Sequence, residues 1–184
     1  MPIFDTVMRY FFHLCLIILS AFCFTNCSVF EHADADVEKS TLVGVGDIAP
    51  DFTAELLDGS SITFSQLQGN TVLLVFFDTT CPECQLQLAL LDGVVNQFAE
   101  RNFSLLAVNR GQSREEVTQF AEKKGYNFNI ALDPDATIYS LYATQYVPRC
   151  FIIDPLGRLI ARSVGYSTDE FDLLKDVILN NLQN

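Results

Sequence analysis

Basic side chains are scarce in this chain. Its 184 residues carry 11 lysines and arginines against 23 aspartates and glutamates, a formal net charge of -12 at pH 7. A protein that binds nucleic acid needs a basic patch to meet the phosphates. The shortage of cations therefore argues against nucleic acid as a partner. No acidic run is concentrated enough to suggest a cation site.

Histidine is scarcer still. The only two, His13 and His32, both precede the region expected to fold. A structural zinc ion needs four ligands, and the cysteine pair described below finds only Cys150 as a further downstream thiol. Covalent haem attachment requires a histidine directly after such a pair, where this chain has Gln85. We therefore expect no metal, no haem and no other cofactor.

Long apolar runs are also lacking. Phe11–Phe24 is almost wholly apolar, but it has the length of a signal-peptide core and is too short to span a bilayer comfortably. Cys27 follows it, an arrangement that resembles a bacterial lipoprotein signal. We expect residues 1–26 to be a signal peptide, Cys27 to be lipidated, and residues 27–45 to form a flexible tether. An uncleaved signal anchor and a soluble exported form are the alternatives.

From residue 46 to the C-terminus, strand patterns alternate with helix patterns. Strands are predicted at Phe52–Leu56, Ser61–Phe64, Val72–Phe77, Leu105–Val108, Phe128–Leu132, Cys150–Ile153 and Leu159–Ser163. Helices are predicted at Leu86–Phe98, Ser113–Lys124 and Thr137–Tyr142, and after a second capping-box pattern at Ser167 and Glu170. This order predicts an α/β domain over residues 46–184, with a mixed sheet, helices on both faces and an N-terminal β-hairpin.

Two cysteines, Cys81 and Cys84, stand two residues apart where the strand Val72–Phe77 gives way to a helical pattern. The N-terminus of a helix presents unpaired N–H groups and a partial positive charge, which favour a thiolate at Cys81. Pro82 suits the first helical position because it has no N–H to leave unpaired. The spacing and its context predict a redox-active disulfide rather than a metal site or inert thiols.

The chain from residue 46 onwards resembles the thioredoxin-fold redoxins of the TlpA/ResA type, which are membrane-anchored thiol-disulfide oxidoreductases of the bacterial cell envelope. Four features carry this resemblance: Gly46–Phe52, Phe64–Gly69, the cysteine pair, and Val147-Pro148 ahead of a strand and hairpin. The resemblance implies a thioredoxin-like fold in which Cys81 is the nucleophile and Cys84 the resolving thiol. It also implies a cis Pro148 facing the disulfide, with Val147 offering its backbone to a substrate.

The chain departs from this family at several positions. Thr80 stands where a tryptophan usually precedes the first cysteine, and Val75 and Gln87 replace two carboxylates that commonly serve the buried thiol. Glu83 and Asp78 are the acids nearest the pair in sequence, and either could relay protons instead. For Glu83 the simpler interpretation is a charge that stabilises the helix N-terminus. For Thr80 it is a hydroxyl that caps the turn rather than one that donates to sulfur.

Arg149 and Cys150, which follow Pro148, each have two possible interpretations. Cys150 could act as a third redox thiol, but a small buried apolar residue is the default for a free cysteine. Arg149 is expected near the rim of the site, where its charge would favour a thiolate at Cys81 or select an acidic partner. An ordinary solvated arginine is the alternative.

The predicted function is reduction of protein disulfides in the periplasm-facing cell envelope. A negative charge at Glu83 opposes a very acidic thiol at Cys81, which favours a reductase over a strong oxidant. The resemblance implies that substrate proteins and a membrane thiol reductant are the partners, with a lipid anchor holding the domain at the membrane. A noncatalytic adaptor is the alternative, followed by a peroxidase, whose pattern would need proline and threonine at Leu74 and Asp78.

Overall fold

The computed structural model describes residues 31–98, 101–126 and 128–183. The predicted signal peptide and Cys27 lie outside the described residues. Helix α1 (Glu31–Lys39) comes first, and the compact unit that carries the sheet begins at Lys39. Within the described ranges, no helix is long and apolar enough to cross a membrane.

A single mixed sheet of seven strands organises this unit, in the order β2-β1-β5-β4-β3-β6-β7. The central strands β3, β4 and β5 run parallel, whereas all other neighbours are antiparallel. The strands are β1 (Thr53–Leu56), β2 (Ser61–Thr63), β3 (Thr71–Phe77), β4 (Phe103–Arg110), β5 (Asn129–Asp133), β6 (Arg149–Ile153) and β7 (Leu159–Val164). The mixed α/β architecture and the N-terminal hairpin of the sequence prediction are confirmed.

Three further α-helices follow: α2 (Pro82–Phe98), α3 (Arg114–Lys124) and α4 (Thr168–Asn181). Helix α3 begins with the predicted capping box, in which Ser113 accepts the N–H of Glu116 while the Glu116 carboxylate accepts the N–H of Ser113. It ends at Gly125, whose φ of 67° is a left-handed conformation that glycine adopts at little cost. The boundaries predicted for this helix are therefore confirmed.

Strand β3 is buried on both faces and separates two apolar layers. Leu74 and Phe76 face one layer, which Tyr142 and Phe151 help to fill and which short 3-10 turns at Phe64–Leu67 and Tyr139–Leu141 cover. Leu73, Val75 and Phe77 face the other layer, which contains the buried apolar residues of α2, α3 and α4. A continuous apolar strand is what burial on both faces requires. Helical cover is thus present on both faces, with 3-10 turns on one of them.

The folded unit starts earlier than the boundary expected at residue 46. Thr41 pairs with Ala143 in an isolated bridge, and the side chain of Val43 is buried in the core. Ser40 is also buried, and its carbonyl accepts the N–H of Thr144 at 2.8 Å. These long-range contacts, which local polarity does not reveal, make residues 40–45 part of the domain.

Candidate active site

The cysteine pair lies at the junction of β3 and α2. The chain leaves the sheet after Phe77, and the carbonyl of Asp78 accepts the N–H of Cys81 at 3.3 Å before α2 begins at Pro82. Cys81 is partly exposed, whereas Cys84, one turn into the helix, is fully buried. The N–H of Cys84 donates to the sulfur of Cys81 at 3.2 Å. This N–H belongs to the first helical turn and has no partner within the helix, and a donor of this kind favours negative charge on the partly exposed sulfur.

The proline segment faces the same sulfur. The Cys81 thiol lies 3.7 Å from the carbonyl oxygen of Val147. The Val147-Pro148 peptide bond is cis, as the family resemblance implies. The carbonyl of Pro148 is occupied, because it accepts the N–H of Gly165 at 2.8 Å. The structure thus brings together the two ends of the site that the sequence placed 66 residues apart.

The two thiols of the pair differ in their environment. Burial raises the pKa of Cys84 well above its usual range, and the hydrogen bond with Cys81 and the charge of Asp78 act in the same direction. A backbone hydrogen bond from Asp78 acts the other way. Burial therefore favours the protonated thiol at Cys84, beside the sulfur of Cys81. An exposed nucleophile in front of a protonated resolving thiol is the arrangement that stepwise disulfide exchange uses.

Asp78 and Thr80, in the loop before the pair, bond to each other. The carboxylate of Asp78 accepts both the N–H and the hydroxyl of Thr80, each at 2.7 Å, so this hydroxyl caps the turn rather than donating to sulfur. Glu83 is exposed at the start of α2, and its carboxylate lies near Gly165. Asp78 is the acid that acts electrostatically on Cys84.

Cys150 is a buried thiol on β6 rather than an accessible third one. It is fully buried opposite Val75 of β3, and burial raises its pKa to about 12. Hydrogen bonds with the side chains of Ser163 and Gln87 oppose that effect. The default interpretation of Cys150 is therefore confirmed. Gln87 is only 2% exposed, and among the described residues its Oε1 has no hydrogen-bond partner.

The expectation for Arg149 is wrong. Its side chain is fully buried, and it donates to the carbonyl of Gln145 at 2.8 Å and to the hydroxyls of Thr41 and Ser40. Burial lowers the pKa of this guanidinium below its usual value. Arg149 cannot select a partner at the rim, because β6 lies inside the sheet and the N-terminal segment covers the side chain.

Three polar residues beside the site were missed by the sequence analysis. Gln112, which follows β4, bonds to both the N–H and the hydroxyl of Thr79, and Asn109 donates to Gln112 at 2.8 Å. The side chain of Gln85 donates to the carbonyl of Thr79, also at 2.8 Å. The available signal was weak: Asn109 is a polar residue at the end of an apolar strand, and Gln112 directly precedes a helix cap.

Fold and site together define a thioredoxin-fold protein with a dithiol at the start of a helix. A family model described as the AhpC/TSA family matches residues 45–162, and the chain belongs to that family. Its curated relatives include the thiol-disulfide oxidoreductase ResA of Bacillus subtilis, with 28% identity over 83% of this chain and 84% of that protein. The ResA of Geobacillus thermodenitrificans is 30% identical over 72% of this chain and 76% of that protein. The predicted relationship to ResA-type redoxins is confirmed.

Solved structures of other proteins show the same fold as this chain. A candidate protein disulfide isomerase from Bacteroides thetaiotaomicron superposes with a TM-score of 0.74 and 30% identity, covering 79% of this chain and 94% of the other. A candidate thiol:disulfide interchange protein DsbE from Chlorobium tepidum has a TM-score of 0.72 and 26% identity, over 76% and 99%. Peroxidoxin BcpB of Mycobacterium tuberculosis, at 18% identity, shares the fold.

Proposed function

We propose that this protein is a thiol-disulfide oxidoreductase that reduces disulfides in substrate proteins. The geometry of Cys81 carries this proposal, because its sulfur is partly exposed, accepts the N–H of Cys84 at 3.2 Å and lies 3.7 Å from the Val147 carbonyl. The names of the ResA relatives point to the same chemistry.

The reaction proceeds in two exchanges. The thiolate of Cys81 attacks one sulfur of the substrate disulfide, that S–S bond breaks, and the first substrate thiolate leaves and is protonated by water. Cys84 then attacks the sulfur of Cys81 and releases the second substrate thiolate, which takes the proton of Cys84. Two electrons pass from the pair to the substrate, and the enzyme is left as the Cys81-Cys84 disulfide.

The burial of Cys84 determines which cysteine attacks first. A thiol with a raised pKa in a buried position is a poor nucleophile towards bulk disulfides, so the first attack falls to Cys81. Once the mixed disulfide forms, Cys84 is next to the reacting sulfur and its attack becomes intramolecular. Reduction of the resulting disulfide requires a dithiol donor, which we propose is a membrane thiol reductant.

The test is turnover with insulin as the disulfide substrate. Wild type should reduce insulin with a dithiol donor, Cys81→Ser should be inactive, and Cys84→Ser should accumulate a mixed disulfide that mass spectrometry detects. Cys150→Ala should retain turnover because Cys150 is buried away from solvent. Full activity of Cys81→Ser would contradict the proposal. Rapid peroxide consumption without insulin reduction would favour a peroxidase. A wild type that shows neither activity would favour a noncatalytic adaptor.

We further propose that the domain faces the periplasm as a lipoprotein. Its support is in the sequence alone: the apolar run Phe11–Phe24 followed by Cys27. Metabolic labelling with a fatty acid should mark wild type and not Cys27→Ala, because the acyl chains would be attached at Cys27. The labelled protein should fractionate with membranes, since each buried acyl methylene adds membrane affinity. Unlabelled wild type that still fractionates with membranes would instead indicate an uncleaved signal anchor.

A further inference from the structure

The loop in front of the nucleophile is held by a side chain from a different part of the chain. Gln112, between β4 and α3, accepts the N–H of Thr79 at 2.8 Å and donates its amide N–H to the Thr79 hydroxyl at 2.8 Å. Thr79 stands two residues before Cys81. Both ends of one carboxamide therefore bind one residue of the active-site loop.

The orientation of this carboxamide is determined by its partners. Oε1 of Gln112 receives two donors, the Thr79 N–H and the side-chain amide of Asn109, which is also 2.8 Å away. A backbone N–H can only donate, so the flipped carboxamide would place two donors against each other. Asn109 is fully buried on β4, where it pairs with Phe77, the last residue of β3. Through Asn109, the carboxamide of Gln112 is thus fixed to the end of the central sheet.

A second amide completes the support. Gln85, in the first turn of α2, donates to the carbonyl of Thr79 at 2.8 Å and accepts from Lys124 of α3 at 3.2 Å. The N–H, carbonyl and hydroxyl of Thr79 are consequently all engaged by side chains. The loop thus has little freedom to move Cys81 away from the Cys84 N–H.

We propose that Gln112 is a positioning residue for the nucleophile. It acts through Thr79 and keeps the sulfur of Cys81 aligned with the Cys84 N–H and the Val147 carbonyl. This inference rests on the proposed function in that Cys81 is taken as the attacking thiol. Gln112 itself touches neither the sulfur nor a substrate.

The test compares Gln112→Ala and Thr79→Val with wild type by two measurements. One is the pH profile of Cys81 alkylation in the reduced folded protein, resolved by peptide mass spectrometry; the other is insulin turnover. Each variant should slow both rates roughly tenfold, less than the ~10²-fold that a misplacement of ~1 Å can cause. Each should also move the midpoint of the alkylation profile to higher pH, because the helical N–H no longer stays against the sulfur.

Matched variants separate positioning from general damage. Thr79→Ser keeps the hydroxyl and should restore both rates, and Gln119→Ala removes an exposed amide from α3 and should change neither. Because Gln112 acts through Thr79, the double variant Gln112→Ala/Thr79→Val should slow each rate by less than the product of the two single-variant effects. Thr79→Val removes only the hydroxyl while keeping the volume, so it remains informative if Gln112→Ala does not fold.

The outcomes distinguish the two proposals. Folded Gln112→Ala and Thr79→Val proteins whose alkylation profile and turnover stay within about twofold of wild type would overturn the positioning role and leave the proposed function standing. A lower melting temperature with an unchanged alkylation profile would also overturn it, since that is the result of a merely structural bond. An active Cys81→Ser protein would overturn the proposed function instead.

Discussion

Replacing Gln87 by glutamate tests whether the buried site next to Cys150 disfavours an ionised carboxyl. Gln87 lies on α2, is only 2% exposed, and bonds to the side chain of the fully buried Cys150. Within the described part of the chain its Oε1 has no hydrogen-bond partner, so a carboxylate there gains no ready donor. Glu170 adds negative potential at Cys150, which further disfavours an anion. The new carboxyl should therefore be held protonated by the fold.

The magnitude follows from the linkage between ionisation and folding. Burial raises the pKa of a carboxyl by about 3 units or more, from ~4.3 in the unfolded chain to ~7 in the folded one. Between these two values the folded state holds a proton that the unfolded state releases, so stability falls as pH rises. At ~1.4 kcal/mol per unit, Gln87→Glu should cost about 4 kcal/mol relative to wild type at pH 8. The electrostatic cost should vanish near pH 4.

The assay is urea unfolding of the reduced protein at pH values from 4 to 8. Gln97→Glu is the matched control, because Gln97 lies on the same helix but is exposed. A solvated carboxylate near the end of a helix should cost no more than about 1 kcal/mol. The difference between the two variants should grow by several kcal/mol from pH 4 to pH 8. A Gln87→Glu protein whose deficit is independent of pH would refute the reasoning, since it would mean that the carboxyl is solvated or paired.

Three further outcomes are expected. In the reduced protein at neutral pH, Cys81 should alkylate faster than Cys84 and Cys150, because it alone of the three is partly exposed; equal labelling by mass spectrometry would count against its role. Stability of the reduced protein should fall from about pH 9 upward by at most ~1.4 kcal/mol per unit per buried thiol, because folding holds both buried thiols protonated. Cys150→Ala should reduce this slope, and an unchanged slope in alkaline unfolding titrations would contradict the assignment. Phe76→Ala should cost about 3–5 kcal/mol in urea unfolding, because the ring is fully buried among three other aromatic rings; a cost below about 1 kcal/mol would argue against this packing.

Local sequence signals predicted the parts of the fold that depend on neighbours in the chain. The apolar run before the cysteine pair became strand β3, and Ser113 with Glu116 formed the capping box that starts α3. Cys81 and Cys84 could be assigned because a Cys-X-X-Cys spacing at a strand-to-helix junction has few other chemical uses. Caps, turns and paired cysteines act within a few residues, so the sequence shows them directly.

Arg149 shows why other features could not be predicted. Charged residues are usually exposed, but β6 lies between β3 and β7, and hydroxyls from residues more than 100 positions earlier receive this guanidinium. The start of the domain at Lys39 follows from the same long-range contacts. Burial of a charge depends on partners that only the folded chain brings near.

The sequence by itself determined the cysteine pair, the strand and helix that hold it, and the place of Pro148 ahead of β6. Only the tertiary structure decided that Cys84 and Cys150 are shielded from solvent while Cys81 is partly exposed, and that Gln112 bonds to the loop before Cys81. The physical reason is distance along the chain. Thiol chemistry is encoded in adjacent residues, whereas the burial and hydrogen bonds that set its reactivity come from strands and loops joined only by folding.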